Sequence, residues 1–82
     1  MPSNQDVFKL IVEHTREVLP ELEEHAFDPA DSLKELGANS IDRAEILMMT
    51  LESLEVSIPL SELANAKNIG ELAELIHGKS NS

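Results

Sequence analysis

A small all-α bundle of four helices is expected: three main helices, a short third helix, and a long first loop. Three observations predict it. Apolar residues recur at three- and four-residue steps, prolines and glycines punctuate the segments between them, and no strand-like alternation competes. At 82 residues the chain has the size of one domain, read as 1–82 with order over about 4–78 and a flexible tail at 79–82.

The first helix is capped by Ser3 or Asn4, has Asp6 in its first turn, and runs to about Leu19, with Pro20 beyond its end. Val7, Phe8, Ile11, Val12, Val18 and Leu19 form its apolar stripe; Lys9, Glu13, Arg16 and Glu17 fall mostly on the wet side. Pro20 to Gly37 is a long polar connection, which needs anchors in a compact domain. Phe27, Leu33 and Leu36 are the expected anchors, with Asp31 or Ser32 capping a short turn that Gly37 closes in a left-handed conformation.

The second helix is expected from about Ser40 to Glu55, and a short third one after Ile58-Pro59, where proline suits a first helical position. Asn68 and Glu71 have the spacing of a capping box for the fourth helix, whose face is Ile69, Leu72, Ala73 and Ile76. Gly78 is expected to stop it, leaving 79–82 as a frayed tail.

Composition excludes several functions. Sixteen acidic residues against six basic ones give a net charge of −10. Such a chain repels nucleic acid and anionic membranes and favours basic protein surfaces. There is no Trp or Tyr for base stacking and no cysteine for a disulfide, a thiolate metal site or redox chemistry. No apolar run reaches membrane-spanning length, and the N-terminus lacks a signal pattern. A cytoplasmic protein, monomeric on its own, is expected.

Gly37-Ala38-Asn39-Ser40 places a serine hydroxyl at the mouth of the second helix. Free backbone N–H groups and the positive dipole end there favour an anion, so a phosphate diester on that oxygen is well placed. Serine at a helix start is more often only a cap. The helix that follows has too many apolar faces. Ile46, Leu47 and Leu54, with Thr50 between, point one way; Ile41, Ala44, Met48 and Leu51 point to a neighbouring side edged by Glu45, Glu52 and Glu55. Either Met48 and Leu51 extend the core under the first loop, or the surplus meets a partner. The acidic residues are then a solvated face or the charged rim of a docking patch.

These residues resemble the acyl carrier protein family. There a serine opening the second helix, in a Gly-x-Asp-Ser-Leu pattern, carries 4′-phosphopantetheine; here Gly37-Ala38-Asn39-Ser40-Ile41 departs conservatively at two positions. The resemblance spans roughly residues 5–77 and includes Ile58-Pro59 and Asn68-Ile69. The runs Gly37 to Ile46 and Ala66 to Ala73 are also similar to stand-alone carriers of polyketide β-branching cassettes. Asn39, where fatty-acid carriers have Asp, speaks against a generic fatty-acid role yet remains an effective cap.

The resemblance implies that a phosphopantetheinyl transferase modifies Ser40 from coenzyme A. It implies a malonyl group loaded by an acyltransferase, trimmed to acetyl by a decarboxylating ketosynthase, and delivered to a hydroxymethylglutaryl-synthase-like enzyme. The carrier itself is non-catalytic, and tethering holds its cargo at about millimolar effective concentration. Asn39, Ile41, Asp42, Arg43, Ala44, Glu45, Met48 and Leu51 are the implied docking residues. Leu51 replaces a commonly acidic residue and Arg43 a usually uncharged one, so Arg43 is expected to help choose the partner.

Other readings stay open: a fatty-acid, polyketide or peptidyl carrier, or an unmodified helical adaptor using the same surface. A serine nucleophile paired with His14, His25 or His77 lacks the Gly-x-Ser-x-Gly turn and its preceding strand. Glu21, Glu23, Glu24, Asp28 and Asp31 are oxygen ligands without EF-hand spacing, so they read as a solvated loop.

Overall fold

The computed structural model describes residues 3–80, without the side chain of Ser80. Four helices follow in order: α1 (Asn4–Val18), α2 (Ser40–Leu54), α3 (Leu60–Leu63) and α4 (Ile69–Ser80), with a single 3₁₀ turn at Pro20–Leu22 after α1. Among the described residues there is no strand. α1 packs against both α2 and α4, and α3 closes one end against α4.

Ser3, rather than Asn4, caps α1. Its hydroxyl accepts the Asp6 N–H at 3.2 Å while the Asp6 carboxylate accepts the Ser3 N–H at 3.0 Å, so two free donors are satisfied reciprocally. Val7, Ile11, Val12 and Leu19 reach the core as their spacing predicts, whereas Phe8 and Val18 are half-buried against it. Thr15 and Thr50 are fully buried as well. Each donates its hydroxyl to the carbonyl one turn back, Thr15 to Ile11 at 2.6 Å and Thr50 to Ile46 at 2.8 Å, so neither leaves a buried polar group unmet.

The first connection is held as expected by Leu33, which is buried, with Phe27 and Leu36 packed on the core. Arg16 leaves the expected wet side: its guanidinium lies 5.1 Å from the Phe27 ring centre and donates to the His25 carbonyl at 3.0 Å. The carbonyls of Pro29 and Asp31 accept the Gly70 and Ile69 N–H groups at 2.8 and 2.9 Å. The loop thus supplies acceptors to the open end of α4.

Three sequence expectations are corrected. Pro59 sits one residue before α3, as its cap, because its ψ of 134° is extended rather than helical. Gly78 does not stop α4, which continues through Lys79 to Ser80. The Lys79 ammonium meets the Glu62 carboxylate of α3 at 2.6 Å, which ties down residues expected in the frayed tail. The remainder of that tail, Asn81 and Ser82, lies outside the described residues. Asn68 does cap α4, accepting the Glu71 N–H at 2.8 Å; the Glu71 carboxylate returns to the Lys67 N–H at 3.5 Å rather than to that of Asn68.

Candidate functional site

The approach to α2 is a tight turn built from local signals. Leu36 N–H bonds to the Ser32 carbonyl, Gly37 N–H to Lys34 and Ala38 N–H to Leu33, at 2.9, 3.1 and 3.0 Å. Gly37 takes φ +107°, which a residue with a Cβ rarely adopts. Ala38 then plugs into the core at 2% exposure. This fastens the backbone two residues before Ser40.

Asn39 is the cap. Its side-chain oxygen accepts the Asp42 N–H at 2.7 Å, and the Asp42 carboxylate accepts the Asn39 N–H at 3.4 Å. Because Asn39 does the capping, the Ser40 hydroxyl is spared that duty and stands exposed as the first helical residue. The Ser40 and Ile41 amides precede the first intrahelical hydrogen bond, so the end of α2 favours negative charge beside that oxygen. A phosphate diester there meets no buried neighbour, and the residues present fit 4′-phosphopantetheine.

Arg43 stands one turn into α2 and is half-buried. Its guanidinium donates to the Ala38 carbonyl at 2.8 Å. The side chain therefore braces the turn that precedes Ser40. Sequence reasoning missed this, since no spacing rule says which carbonyl a long side chain will find.

Of the other expected docking residues, Ile41 and Met48 are 75% and 56% exposed. Glu45 is exposed, and Asp42 and Ala44 are half-exposed. Leu51 is corrected: at 7% exposure it belongs to the core. At 100° per residue, ten residues from Ile41 bring Leu51 about 80° round the helix toward Leu47. The exposed stripe is instead Ile41, Glu45, Met48 and Glu52. Ile46, Leu47 and Thr50 face inward, while Leu54 is only half-buried against the core.

The histidines have partners of their own. His14 bonds to Ser53 at 3.0 Å and to Glu17 at 3.4 Å, and His25 to Asp31 at 2.9 Å; His77 also has a partner.

Residues 9–76 match the family described as phosphopantetheine attachment site. The chain belongs to that family. Its members carry 4′-phosphopantetheine covalently, and this chain is an acyl carrier protein of polyketide biosynthesis. It is 53% identical over 78 residues to the polyketide biosynthesis acyl-carrier-protein AcpK of Bacillus subtilis (strain 168), covering 95% of each chain. It also superposes with a TM-score of 0.89, at 54% identity, on a chain in the crystal structure of the curacin biosynthetic pathway HMG synthase in complex with acetyl donor-ACP. That match covers 93% of this carrier and 97% of the other chain.

Proposed function

We propose that this carrier, acting as one domain in the cytoplasm, takes 4′-phosphopantetheine on the Ser40 oxygen and serves as acetyl donor in polyketide β-branching. The observation that carries the attachment is the exposed Ser40 hydroxyl at the start of α2, with capping delegated to Asn39. The donor role is supported by the 54% identity to a chain of a synthase–donor complex, nearly all of which this small carrier covers.

When attached, the group supplies the sulfhydryl that this cysteine-free chain lacks, on which an acyl unit is held as a thioester. The protein's own residues do the rest without catalysing chemistry. Asn39 and Asp42 hold the helix entrance shut as a reciprocal cap, Arg43 braces the turn ahead of it, and the α2 amides offset negative charge at Ser40. Ile41 and Met48 offer an apolar centre flanked by Glu45 and Glu52, suited to short-lived docking on basic partner surfaces. The partners are a phosphopantetheinyl transferase, an acyltransferase, a decarboxylating ketosynthase and a hydroxymethylglutaryl-synthase-like enzyme.

Incubation with coenzyme A and a phosphopantetheinyl transferase, followed by intact-protein mass, tests the attachment. One phosphopantetheinyl group should be gained and none in Ser40→Ala, whose stability should stay within about 0.5 kcal/mol of the parent. An unmodified protein would instead be a helical adaptor. Transfer of acetyl from the loaded carrier to a hydroxymethylglutaryl-synthase-like enzyme separates the donor role from that of a fatty-acid or peptidyl carrier.

A further inference from the structure

Two hollows in the surface border no residue of α2. One, of about 460 Å³, lies where α1 meets the first connection and α4, with Gln5, Phe8, Lys9, Pro29, Ala73 and Glu74 on its walls. The other, of about 400 Å³, follows α1 onward past Val12, Glu13 and Arg16 to Phe27. Phe8 and Lys9 belong to both, so the two form one groove along α1. From Gln5 to Arg16 it runs about 17 Å, the length of three helical turns. Its floor is apolar: Val12 and Ala73 are buried there, and Phe8 and Phe27 are half-buried.

Lys9 and Arg16 offset Glu13 and Glu74 along the groove, which makes it neutral in a chain of net charge −10. Arg16 adds a second signal. Its Nε is the only buried side-chain polar atom without a hydrogen-bond partner among the described residues. A terminal nitrogen of the same guanidinium already holds the His25 carbonyl at 3.0 Å. An unmet donor on a buried charged group costs free energy, and an arriving carboxylate recovers it.

We propose that the groove binds an acidic amphipathic helix of a partner protein, about three turns long. Its aliphatic stripe lies on Phe8, Val12 and Phe27, and one of its carboxylates takes the Arg16 Nε–H. A side-chain turn of Arg16, of the kind common when interfaces form, brings that donor to the surface. The α2 stripe selects the opposite charge, because Glu45 and Glu52 flank its exposed Ile41 and Met48. The two faces share no residue and can be filled together. A carrier held at α1 stays beside its assembly, at raised local concentration, while α2 and Ser40 visit one enzyme after another. This inference does not depend on the attachment at Ser40.

The probe is a synthetic helical peptide with leucines at i, i+3, i+4 and i+7 and glutamates on its flanks. It is titrated to about 1 mM into the full chain labelled with ¹⁵N. The amide signals of Phe8, Lys9, Val12 and Phe27 should move, together with the Arg16 Nε–H signal, which a merely structural arginine would leave in place. Affinity should fall about tenfold in Arg16→Gln, the scale of a hydrogen bond to a charged group. Lys9→Gln, at an exposed position, should lower it about two- to fivefold, and Lys34→Gln, outside the groove, should change nothing. Should Arg16→Gln unsettle the first connection, the Lys9 variant and the Nε–H signal still decide. The carrier should bind the peptide alike before and after it gains phosphopantetheine. No movement of these signals overturns the proposal. So does equal affinity for the same peptide with lysine in place of each glutamate, since charge at Arg16 would then play no part. Movement confined to Ile41, Glu45 and Met48 would put the peptide on α2 and overturn it as well. Signals that shift with protein concentration before peptide is added, with slowed diffusion, would give the groove to a second copy and overturn the partner helix.

Discussion

Asn39 and Ser40 divide two tasks that one serine often combines. The amide side chain closes the capping box, and the hydroxyl beside it is left in solvent. Arg43 secures the same turn from within the helix by its bond to Ala38. Arg43→Ala should leave helicity unchanged by circular dichroism and lower transfer to the synthase about two- to tenfold, the worth of one hydrogen bond; unaltered transfer would remove Arg43 from partner choice. Two carboxylates give the stability a pH dependence. The Asp31 carboxylate is held below its ordinary value first by the Asp28 N–H and then by His25; that of Asp6 is held down first by the Ser3 N–H. A depressed pKa stabilises the fold above the unfolded value of 3.8 and loses that contribution as pH falls through the folded value. Stability measured by urea unfolding should therefore fall as pH drops below about 4, and Asp31→Asn should flatten the decline while lowering stability at neutral pH.

At the scale of the element, α2 shows how far periodicity reaches. Its length, its cap and the inward Ile46 and Leu47 were legible, because each depends on residues within a turn or two. Leu51 was misplaced because steps of three residues precess backward round a 3.6-residue helix, and over ten residues a surface line winds into the core. Leu51→Ala should then cost about 2–5 kcal/mol by urea unfolding. Met48→Ala should cost less than about 0.5 kcal/mol yet slow transfer to the synthase. Equal stability losses would mean the helix is rotated. Half-buried Leu54 should fall below the range for Leu51. The left-handed residue ending α2 is Glu55, at φ 56°, so no glycine marked that stop.

Across the whole molecule, the first connection is clasped to α4. Pro29 and Asp31 lend carbonyls to the Gly70 and Ile69 amides, and a Cβ on Gly70 would stand 3.0 Å from the Pro29 Cβ and 3.1 Å from its carbonyl oxygen. Gly70→Ala improves helix propensity by about 1 kcal/mol, but neither proline ring nor backbone yields easily. A net loss of about 1–2 kcal/mol is expected, with faster hydrogen exchange at Ile69 and Gly70; a stabilised variant would show the clasp to be loose.

The sequence alone determined the order of the helices, the Asn39 and Asn68 caps, the left-handed Gly37 and the exposed serine at a helix mouth. All of these arise from interactions among residues near one another in the chain. Only the tertiary structure decided that Leu51 is core, that Arg16 covers Phe27, that α4 runs past Gly78, and that a groove opens along α1 beside the first connection and α4. Those outcomes depend on which distant segment arrives alongside, and neither helical period nor capping preference specifies that neighbour.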